Sequence, residues 1–395
     1  MHNTRKGSRL NCNGGEFNPM RVVLSGGGTG GHIMPALAVA EALQKYPLFR
    51  EKPELLEILY IGATTGIETK IVPPLGISFQ AVTTEKLRKT LSISTVKVAF
   101  SLLRGYQEAK VYLKAFRPDI CIGTGGYVAA ATVFAAHRLH IPTFIHEGNL
   151  TPGRTNLWLS HFADKIGVTF ADTQGFPLKK KVVTGFPIRE SIVLPETVNQ
   201  REARCTFGGM TAEKFTVFVT GGSQGAGAIN LTLLEAASRL IGAGMQIVHH
   251  TGMKNFDKVR AEANARNLQD GYLPIAFLDG LQMANIYRGA DIVVCRGGIS
   301  TLAEALANRL PQLIVPLPTA YADHQTHNAQ AIAKTGAALH LPESGFTPDT
   351  LVENLLRLQN DHHSLKTMQD TCSILGNRHA ADRIAEWAIE RVKMK

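Results

Sequence analysis

The chain has only five cysteines in 395 residues, and no two of them are spaced as a CxxC pair. An odd number of cysteines without that spacing argues against a disulfide framework and against a zinc site. A reducing compartment such as the cytoplasm is the simplest setting for such a chain. No apolar run reaches the roughly 18 residues of a membrane-spanning helix. Residues 1–19 lack the apolar segment of a signal peptide. We expect them to be a disordered leader or an artefact of the choice of start site.

Negative charge is scarce in the first half of the chain. Residues 1–190 contain 23 Lys and Arg against 13 Asp and Glu, a net charge of +10, whereas residues 191–395 contain 19 of each sign. The excess positive charge therefore lies in the first half, where it favours contact with an anionic surface or a large anionic substrate. No nucleic-acid-binding motif and no basic run with interleaved aromatics occurs, so nucleic acid is not an expected partner.

Glycine is abundant, and two similar loops are especially rich in it. Residues 24–32 read LSGGGTGGH, between a predicted strand at 21–24 and a predicted helix at 35–43. Residues 221–227 read GGSQGAG, between a predicted strand at 215–219 and an apolar helix from residue 228. Glycines let the backbone approach a ligand closely. The N-terminus of the following helix favours an anionic or strongly polar group.

Strands and helices alternate in both halves, which is typical of parallel sheets. The predicted fold is α/β, with two Rossmann-like domains at 20–190 and 191–395 and ligand loops at the carboxyl ends of the strands. The predicted strands are 21–24, 55–61, 120–123, 142–145, 165–168, 181–183, 215–219, 246–249, 275–278, 291–295 and 312–315. The last helix, at 380–392, could pack on either domain. Neither half has the acid that holds the ribose of a dinucleotide about 20 residues past the glycines, which disfavours a nicotinamide cofactor.

Two segments of the second half carry polar groups that suit a nucleotide sugar. Glu304 follows the sequence RGGIS near the start of a predicted helix, where its carboxylate could accept both hydroxyls of a ribose. The alternative is an acid that only complements the helix dipole. Residues 316–329, PLPTAYADHQTHNA, form a proline-rich segment with many side-chain donors, which suits a sugar. The alternative is an ordinary helix start with Asp323 as the N-cap.

A stripe of apolar residues lies on the predicted helix or helices at 90–116. Its members are Val96, Phe100, Leu103 and Tyr106, at helical spacing, and lysines and arginines flank them. One interpretation is a helix face that packs on the core, with a solvated rim. The other is an interfacial patch that rests on anionic lipid.

Six motifs in this order resemble the MurG family of bacterial N-acetylglucosaminyltransferases: GGGTGGH, GTGGYV, HEGN, GGSQGA, CRGGISTLAE and DHQTHNA. The resemblance covers roughly residues 21–392. It implies a GT-B fold, in which the two domains face a cleft, and it implies no cofactor or catalytic metal. It also implies inverting transfer of GlcNAc from UDP-GlcNAc to lipid I, giving lipid II. The enzyme would lie peripherally on the cytoplasmic face of the cell membrane, and the stripe at 96–106 would be its membrane patch.

The resemblance also assigns residues to each substrate. UDP-GlcNAc would contact Thr29, Gly30, Gly31, Asn149, Arg189, Ser223, Gln224, Gly225, Leu278, Thr301, Glu304, His324 and Gln325. Within that set, Ser223 would contact the diphosphate, Glu304 the ribose and Gln325 the GlcNAc hydroxyls. The acceptor side would include Gly28, Gly125, Gly126 and Tyr127, with Thr29, His32 and Asn149 beside it.

Direct displacement at the anomeric carbon needs a base for the acceptor hydroxyl and a stabiliser for the departing diphosphate. His32 is the candidate base, because a helix N-terminus disfavours imidazolium. Alternatively His32 only positions its loop, and Glu147 is the base. No DxD motif occurs, so the glycine loop before residue 228 would stabilise the leaving group without a metal. The sequence departs from the family pattern at two positions. Gly148 stands where the family usually has glutamine, and Phe186 stands before Pro187 where the family usually has a small or polar residue.

Two rival functions remain at this point. A UDP-GlcNAc epimerase of the same two-domain fold would need neither a lipid acceptor nor the basic, apolar stripe. A non-catalytic nucleotide-binding or membrane scaffold protein would bind without turnover.

Overall fold

Both halves of the chain fold around a parallel sheet. The computed structural model describes residues 12–13, 16–84, 93–222 and 225–393, and for residues 12, 13, 16, 17 and 93–99 it describes only the backbone. The chain divides into two units, one ending at Arg189 and including His379 onward, the other running from Glu190 to Arg378. Most of the expected leader lies outside the described residues, but two short segments near its end pair in antiparallel fashion.

The strands of the first unit are β1 (Cys12–Asn13), β2 (Glu16–Phe17), β3 (Met20–Ser25), β4 (Leu56–Ala63), β5 (Ser78–Val82), β6 (Ile120–Gly123), β7 (Thr143–Glu147), β8 (Lys165–Val168) and β9 (Lys181–Val183). Seven of them form one sheet in the order β5-β4-β3-β6-β7-β8-β9. All neighbours in that sheet are parallel. The strand order reverses between β3 and β6, and such a switch point is where open α/β sheets bind ligands.

The second unit has strands β10 (Phe215–Thr220), β11 (Met245–His250), β12 (Tyr272–Ile275), β13 (Ile292–Cys295), β14 (Gln312–Ile314) and β15 (Ala338–His340). They form a parallel sheet in the order β12-β11-β10-β13-β14-β15, with the switch point between β10 and β13. The predicted α/β class with two parallel sheets is therefore confirmed.

The helices are α1 (Gly30–Lys45), α2 (Pro47–Glu51), α3 (Glu68–Ile71), α4 (Ile93–Phe116), α5 (Gly126–Arg138), α6 (Arg154–Leu159), α7 (Gln200–Cys205), α8 (Gly227–Gly242), α9 (Phe256–Ala265), α10 (Gly280–Gly289), α11 (Ile299–Ala307), α12 (His324–Ala333), α13 (Pro348–Asn360), α14 (His362–Leu375) and α15 (Ala380–Lys393). Helix α15 belongs to the first unit, where Ile384 is fully buried and the Trp387 ring lies 5.1 Å from that of Phe144. None of the described helices is long and apolar enough to cross a membrane.

One strand prediction is wrong. The strand expected at 275–278 is β12, three residues earlier, and it contains Pro274. Proline cannot donate to a strand ladder, so it is tolerated mainly on edge strands. Strand β12 is such an edge, paired only with β11. The correction moves Leu278 from a strand into the loop before α10, where its side chain is buried.

Candidate active site

In the first unit, two glycine loops meet at the switch point between β3 and β6. The Thr124 hydroxyl donates to the carbonyls of Ser25 and His32, at 3.4 and 2.5 Å. Gly126 has φ of +83°, and a Cβ added there would lie 2.3 Å from the carbonyl oxygen of Gly27. The two loops therefore pack backbone to backbone, which only glycine permits at this contact.

His32 is the third residue of α1, and its ring is held by the second loop. Its Nδ1 lies 3.0 Å from the carbonyl oxygen of Thr124. Because a carbonyl can only accept, Nδ1 carries the hydrogen, and the lone pair of the neutral ring is on Nε2. In this tautomer Nε2 is the ring atom that can accept a proton.

Tyr127 is the second residue of α5 and lies against the first loop. A Cβ added to Gly28, which has φ of +83°, would come within 2.9 Å of the Tyr127 ring. Burial raises the pKa of Tyr127, and the negative charge of Glu68 raises it further. The phenol is therefore protonated at neutral pH and can donate a hydrogen bond. Gly28, Gly125, Gly126, His32 and Tyr127 are thus brought together at one switch point.

Glu147 closes the loop that follows β7. Its Oε1 accepts from the backbone and side-chain nitrogens of Asn149, at 2.9 and 3.2 Å. Its Oε2 accepts from the backbone of Gly153 and the side chain of Asn156, at 3.0 and 2.9 Å. Four hydrogen bonds thus hold the buried carboxylate of Glu147 within its own loop. Because this structural role already accounts for Glu147, it favours His32 over Glu147 as the candidate base. The departure at Gly148 lies inside this clamped loop.

The departure at Phe186 is packed within the first unit. Its ring is buried and meets His146 edge to face, at 5.9 Å between centroids. His146 Nε2 lies 2.9 Å from the carbonyl oxygen of Gly185, to which it donates. Burial lowers the pKa of His146 to about 4, so the ring is neutral near pH 7. Arg189, half-buried, is the last residue of this segment of the unit.

In the second unit, the GGSQGAG loop follows β10 at the switch point. Ser223 and Gln224 lie outside the described residues. On either side of them, the Gly222 amide donates to the Thr220 hydroxyl at 3.0 Å, and the Gly225 amide donates to the Gly222 carbonyl at 2.8 Å. The Thr220 hydroxyl also lies 3.1 Å from Nδ1 of His250, whose pKa is lowered by burial. Burial thus favours the neutral form of His250 beneath this loop.

Glu304 is the sixth residue of α11, one turn beyond Thr301, and the first turn of this helix contains no acid. The interpretation that Glu304 only complements the helix dipole is therefore wrong, since that effect is confined to the first turn. The hydroxyl of Tyr287 donates to Glu304 Oε2 at 3.0 Å. Burial, and then the charge of Glu304, raise the pKa of Tyr287 well above its usual value, so the phenol stays a donor.

Helix α12 carries His324 and Gln325 at its N-terminus. The Gln325 side-chain oxygen accepts from the Leu317 amide at 3.0 Å, which leaves the amide nitrogen as the donor. A Cβ on Gly297 would lie 2.4 Å from the Gln325 carbonyl, so this helix start packs on the loop after β13. Asp323 occupies the N-cap position with φ of +51° and makes no side-chain cap hydrogen bond, so the expectation of an ordinary Asp cap is wrong.

Two residues beside these sites carry no strong sequence signal. Glu68 contacts Ala63 and Gly28, 40 residues away. Tyr287 contacts Glu304, 17 residues away. An acid at the start of a short helix and a tyrosine on the buried face of an amphipathic helix are both ordinary features. Their contacts come only from the tertiary fold.

The comparisons with known proteins agree with this arrangement. The model of the glycosyltransferase family 28 N-terminal domain matches residues 22–168, and that of the C-terminal domain matches residues 216–384. The two family models thus match the two Rossmann-like units in order, and each unit has a glycine loop at its switch point. These features define a glycosyltransferase with the GT-B fold.

Relatives that match over their full length narrow the class. A Leuconostoc citreum (strain KM20) protein, named UDP-N-acetylglucosamine--N-acetylmuramyl-(pentapeptide) pyrophosphoryl-undecaprenol N-acetylglucosamine transferase, is 36% identical over 95% of this chain and all of its own length. A Bacillus anthracis protein with the same name, numbered 1, is 37% identical over 95% of this chain and all of its own. The crystal structure of Acinetobacter baumannii MurG is similar with a TM-score of 0.71 at 28% identity, covering 94% of this chain and 100% of its own. The chain belongs to glycosyltransferase family 28 and, within it, to the MurG family.

A UDP-GlcNAc 2-epimerase from Neisseria meningitidis bound to UDP-GlcNAc is also similar, with a TM-score of 0.65 over 94% of this chain and 100% of its own. Its sequence identity is 16%, so this likeness is one of fold alone.

Proposed function

We propose that this protein transfers GlcNAc from UDP-GlcNAc to the 4-hydroxyl of the MurNAc-pentapeptide of lipid I, with inversion, and so forms lipid II. The observation that carries the proposal is full-length identity of 36–37% to transferases with that name. The epimerase is the alternative, and it is supported only by a likeness of fold.

The first unit would supply the base. As the acceptor oxygen bonds to the anomeric carbon, the carbon–oxygen bond to the diphosphate breaks and the acceptor proton passes to Nε2 of His32. The hydrogen bond from Nδ1 to Thr124 orients the ring for this transfer. Tyr127, protonated at neutral pH, would donate to a sugar oxygen beside Gly28. Thr29, Gly30, Gly31 and Asn149 would border both sugars.

The second unit would hold UDP-GlcNAc. Ser223, Gln224, Gly225 and the N-terminus of α8 would stabilise the departing diphosphate, with Thr301 on the phosphate side. Glu304, oriented by Tyr287, would accept the ribose hydroxyls, and Leu278 would lie against the uracil. Gln325 would donate to GlcNAc hydroxyls, together with His324. Arg189 would reach the nucleotide sugar from the end of the first unit.

We also propose that the protein acts at the cytoplasmic face of the bacterial cell membrane, as a peripheral protein. Phe100 and Leu103 on α4 are 72% and 57% exposed, which is unusual for large apolar side chains in a core-facing stripe. Tyr106 packs its ring 5.7 Å from that of Phe134, and the Lys110 ammonium lies 5.9 Å from the Tyr106 ring. The side chain of Val96 lies outside the described residues. Exposed apolar side chains on α4, with lysines and arginines beside them, favour binding to a membrane that contains anionic lipid.

The decisive assay incubates the purified protein with labelled UDP-GlcNAc and a lipid I analogue. Transfer of the sugar to the lipid, with inverted anomeric configuration by NMR, is the expected result. Release of UDP with an epimerised sugar would support the epimerase instead, and binding without turnover would support the scaffold.

A further inference from the structure

Arg296 is a largely buried cation of the second unit that the proposed function does not use. It directly follows β13, and its side chain is only 11% exposed. Its Nη1 donates to the carbonyl oxygens of Val315 and Pro316, at 3.1 and 3.3 Å. The same nitrogen lies 2.5 Å from Oε2 of Glu343. Because a buried charge is stable only when it is paired and hydrogen-bonded, Glu343 is what allows the guanidinium to stay beside these two carbonyls.

Glu343 reaches Arg296 because β15 lies beside β14 in the sheet. The amide of Leu341, just after β15, donates to the carbonyl oxygen of Ile314 at the end of β14, at 2.9 Å. Glu343 follows two residues later and begins a short 3₁₀ turn, with its side chain 28% exposed. The carboxylate therefore lies at the carboxyl end of β14, where the loop to α12 begins.

The two carbonyls that Arg296 holds lie at the start of the loop between β14 and α12. Of the three consecutive residues Pro316, Leu317 and Pro318, only Leu317 has an amide hydrogen, because proline has none. That amide donates to Oε1 of Gln325 at 3.0 Å. Arg296 therefore fixes the backbone directly before Leu317, and Leu317 fixes the side-chain amide of Gln325.

Gln325 is also held by the residue that follows Arg296 in the chain. A Cβ added to Gly297 would lie 2.4 Å from the carbonyl oxygen of Gln325, so the two backbones are in close contact. The start of α12 therefore rests on the segment that contains Arg296 and on the loop that Arg296 holds. Both contacts set the position of the side-chain nitrogen of Gln325, which is the proposed donor to GlcNAc.

We propose that Glu343 is a positioning residue that, through Arg296, sets the orientation of Gln325 and so contributes to recognition of the donor sugar. The inference rests on the proposed function for the identity of that sugar. A hydroxyl group is recognised well only by a donor that is fixed in place, because a misplaced partner leaves a polar group unpaired. The uracil and ribose contacts proposed for Leu278 and Glu304 come from other elements. Loss of Glu343 should therefore weaken binding of the sugar and spare binding of UDP.

The test measures binding of UDP-GlcNAc and of UDP by isothermal titration calorimetry, with no acceptor present. Glu343→Gln keeps the shape of the side chain and removes its charge. We expect the affinity for UDP-GlcNAc to fall by about fivefold to tenfold and that for UDP to stay within about twofold of the wild type. Asp349→Asn, which removes the acid of an exposed ion pair with Arg239 in the same unit, is the matched control and should alter neither affinity.

A double-mutant cycle separates positioning from a general loss of stability. Gln325→Ala alone should lower the affinity for UDP-GlcNAc. Adding Glu343→Gln should then lower it no further, because the effect of Glu343 passes through Gln325. The proposal would be overturned by an equal loss for UDP and UDP-GlcNAc, by an unchanged affinity for UDP-GlcNAc, or by a loss that persists in the Gln325→Ala background.

If Glu343→Gln does not fold, Arg296→Met decides by the same pair of affinities, since it removes the guanidinium and keeps an unbranched side chain. A loss confined to UDP-GlcNAc supports the proposal, and an equal or absent loss contradicts it. A protein that shows the expected binding but transfers no sugar to the lipid I analogue would refute the proposed transfer alone. A wild type that binds no UDP-GlcNAc would refute both.

Discussion

At the scale of single residues, His32, the proposed base, shows how a backbone contact fixes the tautomer of a side chain. The Thr124 carbonyl fixes the hydrogen on Nδ1, and the lone pair follows on Nε2. No rearrangement of the ring is needed during the proposed reaction, because the loop that provides the carbonyl is already packed on the loop that carries the histidine.

His32→Asn should separate the two roles of this residue. The asparagine amide can still donate to the Thr124 carbonyl, but it cannot take a proton. We expect kcat to fall by about 10²–10⁴-fold with the KM for UDP-GlcNAc within a few-fold of the wild type, as measured in the lipid I analogue assay. A variant with normal kcat would limit His32 to positioning its loop.

Tyr287→Phe tests whether the ribose site depends on an oriented carboxylate. Losing the hydrogen bond to Glu304 should raise the KM for UDP-GlcNAc by about 5–10-fold, which corresponds to about 1–1.4 kcal/mol, with little change in kcat. Discrimination against a 2′-deoxyribose donor should weaken, whereas Glu304→Ala should abolish it. Tyr272→Phe, which removes another buried tyrosine hydroxyl of the same unit, is the control. Unchanged discrimination in Tyr287→Phe would refute the orienting role.

At the scale of secondary-structure elements, α4 combines two environments along one face. Its Tyr106 contacts the aromatic cluster of the first unit through Phe134, while Phe100 and Leu103 are exposed. Sequence periodicity predicts the stripe but cannot separate its buried members from its exposed ones. That difference depends on which part of α4 is covered by neighbouring elements of the fold.

Replacing both Phe100 and Leu103 by serine should therefore weaken membrane binding without unfolding the protein. We expect a clear loss of co-sedimentation with vesicles that contain anionic phospholipid, and a thermal midpoint within a few degrees of the wild type. Ile374→Ser, which changes an 84% exposed apolar residue of the second unit, should leave vesicle binding unaltered. Undiminished binding by the double variant would contradict the patch.

At the scale of the whole molecule, stability should depend on buried histidines in both units. Burial lowers the pKa of His146 in the first unit to about 4 and that of His249 in the second to about 3. Both values lie below the unfolded value of about 6.5, so the unfolded chain binds more protons. The stabilising effect of the neutral rings is therefore complete above pH 6.5 and is lost as the pH falls toward 4.

Each of these histidines should lower the free energy of unfolding by about 2 kcal/mol between pH 7 and pH 5. Urea denaturation at the two pH values measures the difference. His249→Asn, compared with itself at both pH values, should show about 2 kcal/mol less pH dependence than the wild type. Equal pH dependence in the two proteins would contradict a neutral buried His249.

The sequence by itself determined the α/β class, the parallel sheets and the family, because alternating apolar segments and glycine motifs are local patterns. It misplaced β12, since Pro274 is compatible with a strand only at an edge, and being an edge is a property of the whole sheet. The tertiary structure alone decided that Glu68 lies beneath Gly28 and that Tyr287 donates to Glu304. Those contacts join residues 40 and 17 positions apart, and the burial and charge that give them meaning exist only once the sheets are assembled.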